Sequence, residues 1–208
     1  MMLETTRPEE IEKRSFEMIT EILGPRTLDP RHEMIIKRAI HTSADFDYAD
    51  TLYFSENAVE ILTEALENGA DIVTDTMMAK SGINKKRLLE LGGEAHCFMA
   101  DEDVAAEAGN RNVTRATVCM ERAVRVSKPV VIAVGNAPTA LIRLKTLIEE
   151  NQFRPAGIIA VPVGFVNVVE SKELIMAMDV PCIVARGRKG GSNIAAAICN
   201  ALIYSVQV

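Results

Sequence analysis

The chain contains no tryptophan, and aromatic residues make up only 4% of its 208 positions. A core built without large rings must come from Val, Ile, Leu, Ala and Met, and such an aliphatic interior suits a parallel sheet covered by helices. Histidines number three and cysteines four. His32, His41 and His96 show no H-E-x-x-H spacing, and Cys97, Cys119, Cys182 and Cys199 form no C-x-x-C pair. Zinc-hydrolase and disulfide-scaffold classes are therefore set aside. Three of the cysteines lie in apolar segments and read as reduced, small hydrophobic residues of a cytoplasmic protein. The N-terminus lacks a basic region followed by an apolar run, and no stretch is long enough to span a membrane, so neither secretion nor membrane insertion is expected. Positive charge is also short. With 23 Lys and Arg against 29 Asp and Glu, the net charge is -6. Nucleic acid is not an expected partner, and an anionic ligand would need a local basic pocket.

What is present is a regular alternation. Thr6, Pro8 and Glu9 signal a first helix, with Ile11, Ser15, Met18, Ile19 and Ile22 on one side and Gly24-Pro25 as the stop. A second helix is expected over 31–40, with His41 at or just after its end. Ser55 is a candidate cap for a helix reaching Asn68. Strands are expected at 71–75, 95–99, 129–135, 156–164 and 181–187, and helices near 84–91, between 101 and 126, and at 138–150, 168–178 and 192–204. Strand runs that are apolar on both faces and separated by helices predict an α/β fold. The expected form is a single domain over 1–208, with a mostly parallel sheet of about five strands and helices on both faces.

In such a sheet, ligands bind beyond the C-terminal ends of the strands, and three loops there stand out. G-N-A-P-T-A (135–140) offers free backbone N–H groups before a proline-started helix, suited to a carboxylate or phosphate. V-P-V-G-F-V (161–166), followed by E-S-K (170–172), re-aims the backbone at Pro162 and Gly164. R-G-R-K-G-G-S (186–192) gathers three cations and three glycines in an otherwise acidic chain. It is neither a Walker A loop nor a G-x-G-x-x-G turn. The bland alternatives are an unliganded turn for the first and a flexible, solvated basic turn for the last. D-F-D-Y-A-D (45–50) fails the calcium-loop pattern, because Asp50 stands where glycine is required, and it reads as a solvated acidic loop. A G-x-S-x-G elbow is absent.

R-A-I-H-T-S-A-D-F-D (38–47) places His41 after an apolar run, between Arg38 and two aspartates. Taken with T-R-A-T (114–117), G-N-A-P-T-A-L, P-V-G-F-V with E-S-K, and R-G-R-K-G-G-S-N, it resembles the precorrin-8X methylmutase family in order and spacing over nearly the whole chain. The T-S-A-D-F-D-Y continuation is similar to the cobalt-precorrin-8 branch, and Met78-Ala79-Lys80 departs from the family pattern. The resemblance implies an isomerase of cobalamin biosynthesis that moves a methyl group from C-11 to C-12 of a corrinoid. It implies no organic cofactor and no protein metal site, any cobalt belonging to the substrate. It also implies a homodimer with active sites near the subunit interface. His41 matches the family's catalytic histidine, a proton donor to the macrocycle, and Asp45 and Asp47 are candidates to hold its charge. Ser15, Arg38, Arg115, Asn136, Thr139, Arg186, Lys189, Gly190 and Ser192 are carried over as substrate-binding positions. His32 and His96 are expected on the surface and in the core. Two other classes remain open: a non-catalytic corrinoid carrier, and a phosphate- or nucleotide-binding regulatory domain using the R-G-R-K-G-G-S loop.

Overall fold

The computed structural model describes residues 7–206. The proposed Thr6 cap and the Glu9 side chain lie outside the described residues. In chain order, α1 (Pro8–Leu23) and α2 (Glu33–Ser43) lead through the single turn α3 (Tyr48–Thr51) into β1 (Leu52–Phe54) and α4 (Ala58–Glu67). β2 (Asp71–Thr74) is followed by α5 (Met77–Gly82), α6 (Lys85–Glu90) and the short β3 (Ala95–His96). α7 (Glu102–Arg111) and α8 (Arg115–Ala123) precede β4 (Val130–Val134). The chain then alternates through α9 (Pro138–Glu149), β5 (Gly157–Ala160), α10 (Val168–Met176), β6 (Cys182–Ala185) and α11 (Ser192–Ser205).

The strands form one sheet in the order β1-β6-β5-β4-β2-β3, with every pairing parallel except β1 with β6. Side chains alternate across it. Ile72, Val131, Ala133, Ile159 and Ile183 enter one apolar layer with α2, α4 and α11. Val73, Ile132, Val134, Ile158 and Val184 enter the other, with α8, α9 and α10. Both layers are closed, so β2, β4, β5 and β6 are buried at every position. Each such Val or Ile contributes about 1.5–3 kcal/mol of burial.

The sheet has six strands among the described residues rather than about five. The unforeseen one is β1, three half-buried residues whose short length hides any alternation. Ser55 is not a helix cap. Its hydroxyl accepts from the Cys182 N–H at 2.9 Å, and Asn57, in the left-handed region, precedes α4. The expected strand at 95–99 shrinks to two residues, and α5 occupies a stretch in which no helix was expected. On α1 only Ile19 of the apolar stripe is buried, while Ile11, Met18 and Ile22 face outward. All four cysteines are free and buried. Burial pushes the Cys119 and Cys199 thiols up to about 12.

Candidate active site

The parallel register places the ends of β2, β4, β5 and β6 along one edge. β1 runs the other way, so the segment entering it arrives at the same edge, with Leu52 opposite Ala185. From β2 the chain passes outward to β3 and then returns to β4 on the other side of β2. The switch point, where an open α/β sheet has its crevice, therefore lies between the ends of β2 and β4.

That crevice is filled by the chain itself. Asp75, directly after β2 and fully buried, accepts hydrogen bonds from the backbone N–H groups of Gly135, Asn136 and Ala137 at 2.8, 2.9 and 2.7 Å. The G-N-A-P turn was expected to offer these donors to a ligand; an internal carboxylate takes them instead. Burial raises the Asp75 carboxyl above the ordinary carboxylate range, and the three N–H groups oppose the rise by stabilising the anion. Gly135 is required here, because a Cβ would lie 2.6 Å from the Ser192 Cα.

The 186–192 loop is likewise ordered from beneath, against the reading of a flexible, solvated turn. Lys172, fully buried on α10, donates to the carbonyls of Gly187 at 2.8 Å and Lys189 at 2.9 Å. Arg186 N–H donates to Thr51 O, Gly164 N–H to Arg188 O, and Gly191 N–H to Val161 O. Gly190 has φ +156, and a Cβ there would collide with the Val161 carbonyl. Its bareness thus serves chain packing rather than approach of an anion. Burial alone pulls the Lys172 ammonium down to about 8.

Above these supports lie the side chains expected to bind. Arg115 opens α8, whose cap residue Thr114 meets Thr139 at 2.8 Å between hydroxyls, so the starts of α8 and α9 adjoin. Arg115 and Arg186 are exposed and have no carboxylate partner among the described residues. The Arg186 guanidinium lies 4.8 Å from the Tyr53 ring centre. Asn136 is exposed, and the Ser192 hydroxyl bonds Thr76 at 2.8 Å. Lys189 pairs with Asp45 and Asp47, both at 2.6 Å. These carboxylates hold its ammonium well above the usual lysine range. The acidic loop is therefore not simply solvated: Asp45 and Asp47 serve Lys189 rather than His41, and Asp50 pairs with Arg26. Exposed apolar side chains follow β5, including Phe165 at 81% and Val166 at 79% exposure.

Ser15, Arg38 and His41 form a second group on α1 and α2. His41 is exposed in the last turn of α2 rather than beyond it, and its ring centre lies 5.4 Å from that of Phe16. Arg38, one turn earlier, stacks near Phe16 and Tyr204 and pairs with Glu12. Ser15 bonds back to Ile11 O at 2.8 Å. The segment after Ala44, which ends α2 in the left-handed region, joins this group to the sheet edge through Lys189. His32 is half-buried and stacks on Phe54 with ring centres 3.9 Å apart. His96 is also half-buried rather than in the core, and its Nε2 lies 3.0 Å from Asp71. A cavity of about 340 Å³ lined by Phe153, Arg154 and Asp179 lies at the opposite edge, before β5 and β6.

Sequence reading missed Asp75 and Lys172 as site-shaping residues. The signal for Lys172 was available: Val168, Ser171, Lys172 and Ile175 follow helical spacing and form the buried face of α10.

The architecture defines an open α/β protein whose ligand edge presents exposed cations and apolar side chains over backbone turns already satisfied from within. Precorrin-8X methylmutase is the family that matches, over residues 10–205. The cobalt-precorrin-8 methylmutase of Salmonella typhimurium is 44% identical over 97% of both chains. That of Priestia megaterium is 41% identical over 95% of this chain and 88% of its own. The crystal structure of a precorrin-8X methylmutase from Thermus thermophilus superimposes with a TM-score of 0.85 at 37% identity, covering 94% of this chain and 96% of the other. The chain belongs to the precorrin-8X methylmutase family. It is a methylmutase, an isomerase of cobalamin biosynthesis. Among the described residues no helix is long and apolar enough to cross a membrane.

Proposed function

We propose that His41 is the proton donor in the migration of a methyl group from C-11 to C-12 of a corrinoid of the cobalt-precorrin-8 type. The observation that carries this reading is the placement of His41, exposed in the last turn of α2 and four residues before Asp45, which with Asp47 holds Lys189 of the basic loop. A corrinoid is a broad ring fringed with carboxylates. Arg115 and Arg186 supply charge for the fringe, and the apolar side chains after β5 supply surface for the ring. A migration within one molecule needs no nucleophile from the protein. The imidazole supplies a proton or strong hydrogen bond to the macrocycle as charge shifts. Asn136, Thr139, Ser192, Lys189, Arg38 and Ser15 complete the binding surface, with Lys189 exchanging an internal carboxylate for a substrate one. Gly190 acts through the loop's shape.

The working form is a homodimer of a cytoplasmic enzyme. The exposed Ile11, Met18 and Ile22 on α1, with Met34 on α2, support a covering subunit.

The test is anaerobic incubation with cobalt-precorrin-8 and, separately, precorrin-8X, followed by absorbance spectra, since moving the methyl group changes the ring's conjugation. Wild-type protein is expected to convert one of them, with His41→Ala binding it but turning over about 100-fold or more slowly. Equal turnover by both proteins would remove the proton-donor role. Binding without conversion by wild type would favour a corrinoid carrier.

A further inference from the structure

We infer that Lys172 is a positioning residue for the substrate: its buried ammonium holds the 186–192 loop in the shape that presents Arg186 to a carboxylate of the macrocycle. The inference rests on the reading that this sheet edge binds the corrinoid. Lys172 itself has no exposed surface and cannot touch substrate. Its two partners are carbonyls of the loop, Gly187 and Lys189, which bracket Arg188. No carboxylate pairs with it among the described residues, which is rare for a buried lysine.

The loop needs such a support. Three of its glycines, Gly187, Gly190 and Gly191, sit at positive φ, where the chain gains the most freedom when unfolded. With the Lys172 side chain made apolar, the carbonyls of Gly187 and Lys189 lose their buried donor and must turn toward water. Arg186 lies immediately before the first of them, anchored by its own N–H to Thr51 and by its guanidinium on Tyr53. Turning the 187 carbonyl rotates the 187–188 peptide, one link beyond the peptide that follows Arg186; the changed Gly187 backbone passes the shift back to Arg186, and the guanidinium leaves its place on Tyr53. The consequence falls on binding and not on the chemical step, which belongs to His41.

The test compares Lys172→Met, Arg186→Ala and the double variant, with KM and kcat measured on cobalt-precorrin-8 and melting followed by circular dichroism. Lys172→Met keeps the bulk and removes the donors. It is expected to raise KM about 10-fold or more while kcat stays within about 3-fold. In the Arg186→Ala background the same substitution should add little, because its target is already gone. A full additive effect in that background would mean that Lys172 does not act through Arg186, and would overturn the inference. An unchanged KM in Lys172→Met, with KM raised in Arg186→Ala, would overturn it as well while leaving the site reading intact. If neither variant altered KM, the assignment of substrate to this edge would itself fail. Should Lys172→Met not fold, Lys172→Gln keeps two uncharged N–H donors on a side chain one bond shorter, too short to hold both carbonyls where they stand; a raised KM supports the inference, and a wild-type KM defeats it.

Discussion

Two glycine-bearing turns stand side by side at the ligand edge, 135–137 after β4 and 186–191 after β6, and they are supported by opposite charges. The first directs three N–H groups inward, onto the buried Asp75 carboxylate. The second directs two carbonyls inward, onto the buried Lys172 ammonium. In each case a side chain supplies the charge that complements the backbone groups facing it. Turns of this composition elsewhere hold anions with the backbone. Here the backbone is spent on the fold, and the groups left exposed at that edge are side chains, Arg115 and Arg186 among them. That division suits a large, many-carboxylate ligand better than a single phosphate, and it weighs against the nucleotide-binding alternative.

The contrast can be broken from either side. The largest effect is expected for Asp75→Ala, which leaves three N–H groups without an acceptor, that of Gly135 buried and those of Asn136 and Ala137 part-buried. At about 1–3 kcal/mol each, the loss should exceed about 3 kcal/mol in a denaturant titration, and Asp75→Asn, which keeps one acceptor oxygen, should lose less.

Next is the pH response of Lys172. An unfolded lysine keeps its proton to 10.5, whereas the folded one releases it near about 8. Between those values the unfolded chain binds more protons, so this group's contribution to stability rises with pH. The stability of wild type relative to Lys172→Met should therefore increase from pH 8 to pH 10.5, by at most about 1.4 kcal/mol per pH unit. A flat difference would show that the ammonium is better solvated than its burial indicates.

Gly135→Ala sharpens the comparison at the junction of the two turns, where a Cβ meets the Ser192 backbone at 2.6 Å. A loss of about 1–3 kcal/mol with a raised KM is expected. Smallest is Thr76→Val, which removes the cap of α5 and the bond to Ser192. About 1 kcal/mol of melting stability should go, with turnover nearly unchanged.

Much of this arrangement was legible along the chain. The β-branched run 130–134, the proline at the start of α9 and the glycines before α11 each carry a local preference that survives in the fold. The parallel sheet followed from strands apolar on both faces. β1 was not legible, because three residues between a turn and a short loop carry no period. α5 was hidden because its start signal, Thr76, follows directly on the strand run. The candidate residues were recognisable by motif, yet their partners were not. Thr139 meets Thr114, Ser192 meets Thr76, and Lys189 takes Asp45 and Asp47, the candidate partners of His41.

Composition and periodicity were enough to set the α/β class and the strand-helix alternation, since these depend on neighbours within a few residues. Whether a given N–H or carbonyl at the ligand edge is free depends on which charge the sheet order brings beneath it. Asp75 reaches the turn after β4 only because β2 and β4 lie side by side, and Lys172 reaches its loop only because α10 packs beside β6. Both charges are held out of water by that packing, and burial is what makes each one act on the backbone in front of it rather than on solvent.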